Sequence, residues 1–423
     1  MKKNILILGS GGRESAFAWK FSKDKNIDKI FCIPGNAGTD HFGTNIDIPL
    51  ENHRKILDFV NKNNIYLTMV GPEDPLNLGI VDFFRLKNKK IFGPTKMAAQ
   101  LECSKLYARD IMKKYSIPHP EYYACKTIED VMIAKNKLGF PIVIKADGLA
   151  AGKGVIICNN EIELENAIEI FFKNKTFGEA SNKISVEKCI SGPEISVFTV
   201  CNGSDYIVLN NAQDHKRIFE NDLGQNTGGM GAYAPTPLYS KKLEKKIINS
   251  IIEPTLNAMI SENVPYTGFL YFGLMIVDGN PFVIEYNVRM GDPETQVVLP
   301  LMETNLLDLI EAIESKNITQ NIFKNKDEYC VTVVISSGGY PNSYNKGIEI
   351  QGLENLKDDL VFHAGTSKNK DNKYITSGGR VLNVVGKGKT LQIAIDSAYK
   401  TINKIKFNDM YYRKDIGSKG LNY

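Results

Sequence analysis

The chain has 423 residues, of which 43% are hydrophobic and 24% charged, and its formal net charge is +4. This length predicts two to four domains, and the composition is that of an ordinary globular protein. The small net charge is not gathered into a stripe of basic and aromatic residues, so nucleic-acid binding is not expected. The sequence has no run of about 18 apolar residues, so no membrane span is expected either.

The seven cysteines are scattered, odd in number and never spaced as C-x-x-C. This pattern predicts reduced, mostly buried thiols in a cytoplasmic protein, not a disulfide framework or a metal site. The first apolar run, residues 5–8, is too short for a signal peptide and is ended by Gly9. We interpret it as a buried strand.

The first hundred residues alternate between two periodicities. Strand patterns occupy residues 5–8, 29–33, 67–70 and 90–92, and helical patterns occupy residues 14–21, 53–61 and 78–87. Strands that alternate with helices predict a parallel α/β sheet. Each strand is followed by a Gly or Pro turn, and such sheets bind ligands at the carboxyl ends of their strands.

The next region is predicted to begin with a helix at residues 104–114. Two strand pairs follow, 141–145 with 154–158 and 184–188 with 195–200, with a helix at 161–172 between them and later strands at 268–277 and 281–286. Residues 317–328 resemble a linker. The last region has short strands and an amphipathic helix at 391–405, which places on one face Leu391, Ile395, Ala398, Ile402 and Ile405.

The turn Gly9-Ser10-Gly11-Gly12-Arg13-Glu14 follows a strand and opens a helix, so its backbone N–H groups could bind a phosphate. A dinucleotide-binding motif would need a third glycine where Glu14 stands, and an acidic residue where the second strand ends in Pro34-Gly35. We therefore favour a phosphate-bearing ligand over NAD. A tight turn that needs glycine for steric reasons alone is the alternative.

Residues 144–155 form a strand, a small-residue loop and a second strand. The loop is not a Walker motif, because only three residues separate Gly148 from Gly152 and no helix follows. Folded over a triphosphate, it would let Lys145 and Lys153 neutralise phosphate charge. A solvent-exposed hairpin with incidental lysines would account for Lys153 but not for Lys145, which has apolar neighbours.

Glu285 and Asn287 lie two residues apart on a predicted strand and therefore share one face. Carboxylate and amide oxygens are hard ligands of the kind that Mg²⁺ prefers. Arg289 continues this face and could hold a transferred phosphoryl group. The alternative is a polar face of an edge strand, which the following Gly-Asp-Pro turn disfavours.

Two further segments have the composition of binding loops. Residues 186–194 end a strand and turn, which suits the edge of an adenine, with Glu194 placed for ribose hydroxyls. The charged segment 213–217 is followed by the glycine-rich segment 226–233. Charge clusters are usually solvated faces, but the neighbouring glycines favour a role in substrate binding.

Taken together, these segments resemble the ATP-grasp enzymes, and most specifically the phosphoribosylamine–glycine ligase family. The resemblance is carried by GSGGRE, PGNAGT, VGPEDPL, IVIKADGLAAGKGV, QDHKR, NTGGMGAY, IEYNVRMGDPETQ, VFHAGT, SGGRVLNV and YRKDIG. It implies an α/β and α+β multidomain fold. A pre-ATP-grasp parallel α/β domain would occupy residues 1–100, an ATP-grasp domain of two subdomains 101–325, with 120–192 covering the nucleotide, and a small β-rich domain 326–423.

The resemblance also implies roles for individual residues. ATP would contact Lys105, Lys145, Gly152, Lys153, Gly154, Glu187, Ile190 and Glu194. The substrates would contact Gly11, Gly12, Arg13, Gly35, Asn36, Ala37, Asp214 and His215. Catalysis would involve Arg289, Lys216 and Asp292, and Mg²⁺ or Mn²⁺ would be bound by Glu285 and Asn287.

The reaction implied by the family has two steps. ATP phosphorylates glycine to glycyl phosphate, and the amine of 5-phosphoribosylamine then displaces phosphate to give glycinamide ribonucleotide in purine synthesis. An amine cannot displace a free carboxylate at neutral pH, so phosphorylation supplies a leaving group, and the protein acts by positioning and charge neutralisation. The expected partners are these small molecules alone, with no nucleic acid or membrane, and the chain is expected to act as a monomer.

Two alternatives have other functions. A carboxylase-like or formate-using ATP-grasp ligase is disfavoured by the QDHKR and NTGGMGAY segments. A non-catalytic nucleotide-binding protein is disfavoured because the chain retains Lys145, Lys153, Glu285, Asn287 and Arg289. The chain departs from the family pattern at Ser15, where relatives often carry His, and at Gln225, where they usually carry Pro. Both changes are expected to alter substrate affinity.

Overall fold

A computed structural model of the chain describes residues 2–149, 154–174, 176–316, 318, 322–356 and 358–423. The first region is a parallel sheet of strand order β3-β2-β1-β4-β5 with helices between the strands. Its elements are β1 (Lys3–Gly9), α1 (Gly12–Ser22), β2 (Ile27–Pro34), β3 (Thr44–Asn45), α2 (His53–Lys62), β4 (Ile65–Val70), α3 (Glu73–Asn77), α4 (Ile80–Leu86) and β5 (Ile91–Phe92). The predicted alternation of strands and helices is confirmed.

Strand β1 shows why the first run of the sequence is apolar throughout. Leu6 and Leu8 belong to one buried cluster, whereas Ile5 and Ile7 belong to another, and all four side chains are fully buried. A parallel sheet covered on both faces requires this continuous apolar pattern. The carboxyl ends of β1, β2 and β4 therefore place their Gly and Pro turns along one edge of the sheet.

The second region begins with an antiparallel sheet of order β6-β9-β7-β8. Its elements are α5 (Gln100–Cys103), α6 (Lys105–Lys114), β6 (Tyr122–Cys125), α7 (Ile128–Leu138), β7 (Ile142–Ala146), β8 (Val155–Cys158), α8 (Glu161–Ile168) and β9 (Ile184–Lys188). The predicted pairing of 141–145 with 154–158 is confirmed, since β7 pairs with β8.

The predicted pairing of 184–188 with 195–200 is wrong. Strand β9 bonds to β6 and β7, whereas the strand that follows it enters a second antiparallel sheet. The chain changes sheets at the Gly192-Pro193 turn. The second sheet offers the later strand a ladder from the Glu194–Met275 pair to the Asn202–Thr267 pair, which a local hairpin with the five-residue β9 could not match.

The remaining elements of the second region are β10 (Glu194–Asn202), β11 (Asp205–Val208), β12 (Gln213–Asp214), β13 (Arg217–Phe219), β14 (Leu223–Asn226), β15 (Gly231–Ala234), α9 (Lys241–Ile247), α10 (Glu253–Ser261), β16 (Thr267–Val277), β17 (Asn280–Asn287), α11 (Thr295–Leu301) and α12 (Leu306–Glu314). The second antiparallel sheet has the order β11-β10-β16-β17, and β13 pairs with β14. This sheet carries the predicted metal ligands on its outer strand, β17.

The last region contains β18 (Tyr329–Ser336), β19 (Leu360–His363), β20 (Thr366–Lys368), β21 (Tyr374–Thr376), β22 (Arg380–Gly388) and α13 (Leu391–Ile402). Its main sheet has the order β12-β15-β18-β22-β19, so two strands from the second region complete it. The apolar residues predicted for the last helix are all buried: Leu391, Ile395, Ala398, Ile402 and Ile405. The helix ends at Ile402, three residues earlier than predicted, so Ile405 lies beyond it. The QDHKR and NTGGMGAY segments are thus held by the C-terminal sheet.

The cysteines are all free thiols, and six of the seven are buried, as their spacing predicts. Within the described ranges, no helix has the length and apolar character needed to cross a membrane.

Candidate active site

Strand β17 presents the two predicted metal ligands. Its pairing with β16 shifts by one residue at Ile284, which marks a β-bulge. Beyond the bulge Tyr286 is buried, while Glu285 and Asn287 are half-buried on the opposite face. A side chain at Gly273, which pairs with Glu285, would come 2.8 Å from its Cγ atom, so glycine there leaves room for the carboxylate.

Cationic side chains surround the Glu285 carboxylate. Lys216 Nζ lies 3.7 Å from Glu285 Oε1, and Lys105, Lys145 and Arg289 add positive potential. Burial raises the pKa of Glu285, but these cations, Lys216 foremost, outweigh burial and hold the pKa at about 2. Glu285 is therefore ionised at neutral pH.

Lys216 joins two of the predicted functional residues. Its Nζ donates to Glu194 Oε2 at 2.5 Å and faces Glu285. Burial lowers the pKa of Lys216, but Glu194, Asp214 and Glu285 together raise it well above the usual range. A lysine in this setting stays charged and can neutralise phosphate oxygens.

Asp214 and His215 are buried neighbours with opposite surroundings. Burial raises the pKa of Asp214 to about 6, with Lys216 opposing the rise and Glu194 adding to it. Burial lowers the pKa of His215 to about 3, and its Nε2 accepts from the Gly417 N–H at 3.4 Å. Asp214 thus faces the charged site, whereas His215 supports the C-terminal segment.

Glu187 lies at the centre of a buried ion cluster. Arg109 donates to its two oxygens at 2.9 and 2.8 Å, and Lys145 Nζ lies 2.9 Å from Oε2. Both cations also donate to the Ile284 carbonyl at the bulge, Lys145 at 3.0 Å and Arg109 at 2.7 Å. Burial raises the pKa of Glu187, but Arg109 and Lys145 hold it at about 2. The cluster ties strand β9, and with it the predicted adenosine side of the site, to β17.

The loop after β7 is described only at its ends. Gly152 and Lys153, which are predicted to contact ATP, lie outside the described residues. Gly154 accepts from the Ala146 N–H at 2.9 Å and closes the base of the loop. Ile190, predicted to contact adenine, is half-buried in the connector after β9.

Lys105 stands at the start of helix α6, beside the base of that loop. Its Nζ donates to the Glu102 carbonyl at 3.3 Å. Asp147 Oδ1 accepts from Ser104 Oγ at 2.8 Å and from the Leu106 N–H at 3.1 Å. The loop is therefore anchored to the helix that carries Lys105, and the two predicted ATP-binding segments are held together.

Arg289 is paired with carboxylates that precede β17 in sequence. Its Nε donates to Glu73 Oε2 at 3.1 Å and its NH2 to Glu102 Oε1 at 2.8 Å. Burial lowers the pKa of Arg289, but Glu102 and Glu73 raise it above its usual value. The guanidinium thus links the VGPEDPL segment to the end of β17. A contact between Arg289 and a phosphoryl group stays a prediction.

The turn after β1 is filled by its own glutamate. Glu14 Oε2 accepts from the Gly11 N–H and its Oε1 from Arg13 Nε, both at 2.6 Å. Arg13 NH1 reaches the Met290 carbonyl at 3.1 Å. The Arg13 side chain is therefore directed toward the second region. An anion bound at this turn would share the Arg13 guanidinium with the Glu14 carboxylate.

Asn36 connects the first region with the last. Its Nδ2 donates to the Ser10 carbonyl at 2.8 Å and to the His363 carbonyl at 2.9 Å, and its Oδ1 accepts from two N–H groups of its own turn. Gly35 precedes it with a φ of +74°, and the Ala37 N–H donates to a carbonyl of β20 at 3.3 Å. These bonds use the side chain of Asn36 within the protein, which favours a role in shaping the turn.

The two departures from the family pattern lie in different places. Ser15 Oγ donates to Asn36 Oδ1 at 3.3 Å, so it contacts the predicted substrate side. Gln225 is exposed on the β13–β14 hairpin.

Asp292 lies where all three regions meet. Its Oδ2 accepts from the Arg13 N–H at 3.3 Å, and its Oδ1 accepts from Gln296 Nε2 at 2.8 Å and lies 3.3 Å from Arg380 NH2. A side chain at Gly12 would collide with Gln296 and with the last region. Burial raises the pKa of Asp292, but Arg380 and Arg13 lower it to below its usual value. Such a carboxylate is better suited to positioning than to proton transfer.

Sequence reasoning missed four residues that bond to predicted site residues: Glu73, Glu102, Arg109 and Arg380. Glu73 and Arg380 lie in the VGPEDPL and SGGRVLNV segments, so those segments could have identified them. Arg109 lies in a helix with several other charges, and nothing in the sequence singles it out.

The oxygen donors of Glu285 and Asn287 fit a magnesium ion that is bound largely by a nucleotide. One ionised carboxylate and one amide oxygen share a face of β17. In the part of the chain that the structure describes, no group of three or more His, Cys, Asp or Glu side chains is arranged for a metal. Phosphate oxygens and water would complete the ligand set, as Mg²⁺ commonly requires.

The chain matches three family models along its length. These are the phosphoribosylglycinamide synthetase N domain at residues 3–102, the ATP-grasp (A) domain at 103–295 and the C domain at 330–419. Phosphoribosylamine–glycine ligase of Halalkalibacterium halodurans is 44% identical over 420 residues, which cover 99% of this chain and 97% of the relative. The ligase of Clostridium acetobutylicum is 44% identical over 413 residues, or 98% and 99% of the two chains.

Solved structures show the same relationship. The crystal structure of phosphoribosylamine–glycine ligase from Thermotoga maritima has a TM-score of 0.86 at 34% identity and covers 97% of this chain and 99% of that one. The biotin carboxylase domain of Hydrogenobacter thermophilus 2-oxoglutarate carboxylase, in complex with MgADP, ADP and bicarbonate, has a TM-score of 0.73 at 16% identity, with 97% and 92% covered. The second likeness is one of fold alone. From the three family models and the full-length relatives, the chain belongs to the phosphoribosylglycinamide synthetase family of ATP-grasp ligases.

Proposed function

We propose that the chain uses ATP to join glycine to 5-phosphoribosylamine, giving glycinamide ribonucleotide, ADP and phosphate in purine synthesis. The observation that carries this proposal is the set of cations around Glu285: Lys105, Lys145, Lys216 and Arg289. A triphosphate that transfers its terminal group needs this positive charge, together with an ionised carboxylate for the metal. Membership of the family supports the identity of the two other substrates.

In the first step, a carboxylate oxygen of glycine attacks the γ-phosphorus of ATP, and ADP leaves. Lys216 and Lys145 would neutralise phosphate charge, and no side-chain nucleophile is needed. Mg²⁺ held by Glu285 and Asn287 would neutralise the charge that develops on the phosphates. The protein contributes by positioning and by preorganised charge.

In the second step, the amine nitrogen of phosphoribosylamine bonds to the acyl carbon and the carbon–oxygen bond to phosphate breaks. The amine loses one proton, which leaves with the phosphate. The turns at Gly11–Arg13 and Gly35–Ala37 lie at the carboxyl ends of β1 and β2 and would receive phosphoribosylamine. The bonds of Arg13 and Asp292 hold this edge against the second region.

An assay of ADP release tests the proposal. With MgATP, we expect ADP to form when glycine and freshly prepared phosphoribosylamine are both present. Bicarbonate or formate in place of glycine should give no product. Alanine should be a poor substrate, because a pocket shaped for glycine excludes the extra methyl group. Equal turnover with alanine, or ADP release that does not depend on glycine, would contradict this assignment.

We further propose that the enzyme acts as a monomer in the cytoplasm. The buried free thiols are typical of proteins in reducing compartments.

A further inference from the structure

The SGGRVLNV segment supplies a cation that the proposed steps have not used. Arg380 begins strand β22, and 20% of its side chain is exposed. Its NH1 donates to the carbonyl oxygens of Gly228, at 2.7 Å, and of Asp292, at 2.6 Å. Its NH2 lies 3.3 Å from Asp292 Oδ1. One guanidinium thereby joins the NTGGMGAY segment to the GDPETQ segment.

The NTGGMGAY segment is bonded to Lys216, and the GDPETQ segment is bonded to the turn that contains Arg13. The Thr227 N–H, next to Gly228, donates to the Lys216 carbonyl at 2.8 Å, and Lys216 faces Glu285. Asp292 Oδ2 accepts from the Arg13 N–H at 3.3 Å. A movement of Arg380 would therefore change the distance between the Lys216 side, where the acyl phosphate forms, and the Arg13 turn, where the amine is expected.

The last region holds Gly228 from two directions. The Gly228 N–H donates to Tyr340 Oη at 3.0 Å, while its carbonyl accepts from Arg380. A side chain at Gly228 would come 3.0 Å from the guanidinium carbon of Arg380, so the contact is close. A lysine at position 380 could not reach the three acceptors at once, because only the planar guanidinium offers several donors in a fixed arrangement.

We propose, on the basis of the proposed function, that Arg380 is a positioning residue for the second half-reaction. By fixing the segments at 228 and 292, it aligns the amine with glycyl phosphate so that nitrogen reaches the acyl carbon before water does. When alignment fails, water attacks instead and glycyl phosphate returns glycine and phosphate. ATP is then consumed without formation of the amide.

The test compares Arg380→Lys and Arg380→Gln with the wild type and measures the ADP formed per glycinamide ribonucleotide. The wild type should form one ADP per product. Both variants should form more, and the KM for phosphoribosylamine should rise about tenfold, the effect of losing one hydrogen bond to a charged group. The KM for glycine should change less. Tyr340→Phe should shift the ratio in the same direction but by less, since it removes only the bond from Gly228.

Lys404→Gln is the matched control, because Lys404 forms a partly exposed ion pair with Asp359 in the same region. It should leave the ratio at one. If the wild type forms no ADP with glycine and phosphoribosylamine, the proposed function is overturned. If the wild type is coupled and the Arg380 variants show the same ratio and the same KM values, this inference alone is overturned. It is also overturned if they lose both half-reactions in equal proportion as their thermal stability falls.

Discussion

The ammonium nitrogen of Lys216 lies 3.7 Å from a carboxylate oxygen of Glu285. The same nitrogen lies 2.5 Å from Glu194. Glu194 and Glu285 stand on β10 and β17, which are separated by β16 in the sheet, so one lysine spans the face above β16. This arrangement keeps Glu285 ionised, as the predicted role in metal binding requires, and places a positive charge beside it.

Glu285→Gln tests the metal site. Glutamine keeps the size of the side chain but lacks the anionic oxygen, so a divalent cation that Glu285 would hold should be bound more weakly. We expect kcat to fall by about 100-fold, the effect of losing one preorganised charge contact in an active site. Binding of Mn²⁺-ATP, followed by electron paramagnetic resonance, should weaken in parallel.

The control for this experiment is Glu349→Gln. Glu349 forms an exposed ion pair with Lys373, so its loss changes the net charge equally without touching the site. A Glu285 variant with the activity and Mn²⁺ affinity of this control would show that Glu285 is not a ligand.

Lys216→Gln should alter how metal binding depends on pH. Burial raises the pKa of Glu285, and Lys216 is the foremost cation that holds it at about 2. Without Lys216 this pKa should rise, so the acid limb of Mn²⁺-ATP binding moves to higher pH. A return of the pKa to its ordinary value of 4.5 leaves half of Glu285 protonated at pH 4.5, so the ratio of affinities at pH 7.5 and pH 4.5 should grow by about twofold. Lys404→Gln is the reference variant. If Lys216→Gln has the same ratio of Mn²⁺-ATP affinities as this reference, Lys216 does not control the ionisation of Glu285.

Arg109→Met tests the buried ion cluster. Arg109 is 2% exposed and bonds both oxygens of Glu187, so its removal leaves a buried carboxylate with Lys145 as its remaining cation. We expect the free energy of unfolding to fall by about 3 kcal/mol, the typical effect of breaking a buried pair from one side. The KM for ATP should rise, because Glu187 and Lys145 lose their fixed positions. Urea unfolding measures the free energy of unfolding, with Arg54→Met as the control because Arg54 is exposed. Equal stability of the two variants would refute the predicted loss of stability.

The sequence predicted those parts of the fold that depend on local pattern. Four strands of the first region follow from short apolar runs, whereas the shared face of Glu285 and Asn287 and the apolar face of α13 follow from side-chain period. Strand β3, which is only two residues long, was not predicted. The partner of residues 184–188 could not be predicted in this way, because strand pairing depends on ladders between distant segments. The division at residues 100 and 325 stays a prediction, and strands β12 and β15 cross the second boundary to join the C-terminal sheet.

The site was predictable as a set of segments but not as a set of contacts. The family resemblance selected Lys145, Glu187 and Asp292. It did not indicate that Arg109 bonds Glu187, which lies 78 positions later, or that Arg380 bonds Asp292, 88 positions earlier. These pairs form only when separate elements pack together, so only the structure can distinguish a side chain bonded within the protein from one that faces a ligand.

Glu294→Gln should change how stability depends on pH. Glu294 is 5% exposed, and its side chain packs against Gly291, where a Cβ atom would come 2.7 Å from its carboxyl carbon. Burial, reinforced by the Asp214 carboxylate, raises its pKa from 4.5 to about 8. Between these two values the folded protein keeps a proton that the unfolded chain has lost. Stability should therefore fall as pH rises through this window.

Glutamine resembles the protonated acid and does not titrate, so the Glu294→Gln variant should lack this pH-dependent component of stability. From pH 5 to pH 8.5, Tm of the ligand-free wild type should fall by about 3 °C more than Tm of the variant, which corresponds to about 3 kcal/mol for a chain of this length. Glu349→Gln should follow the wild type. Parallel Tm profiles for the wild type and Glu294→Gln would show that Glu294 is ionised in the folded protein throughout this range.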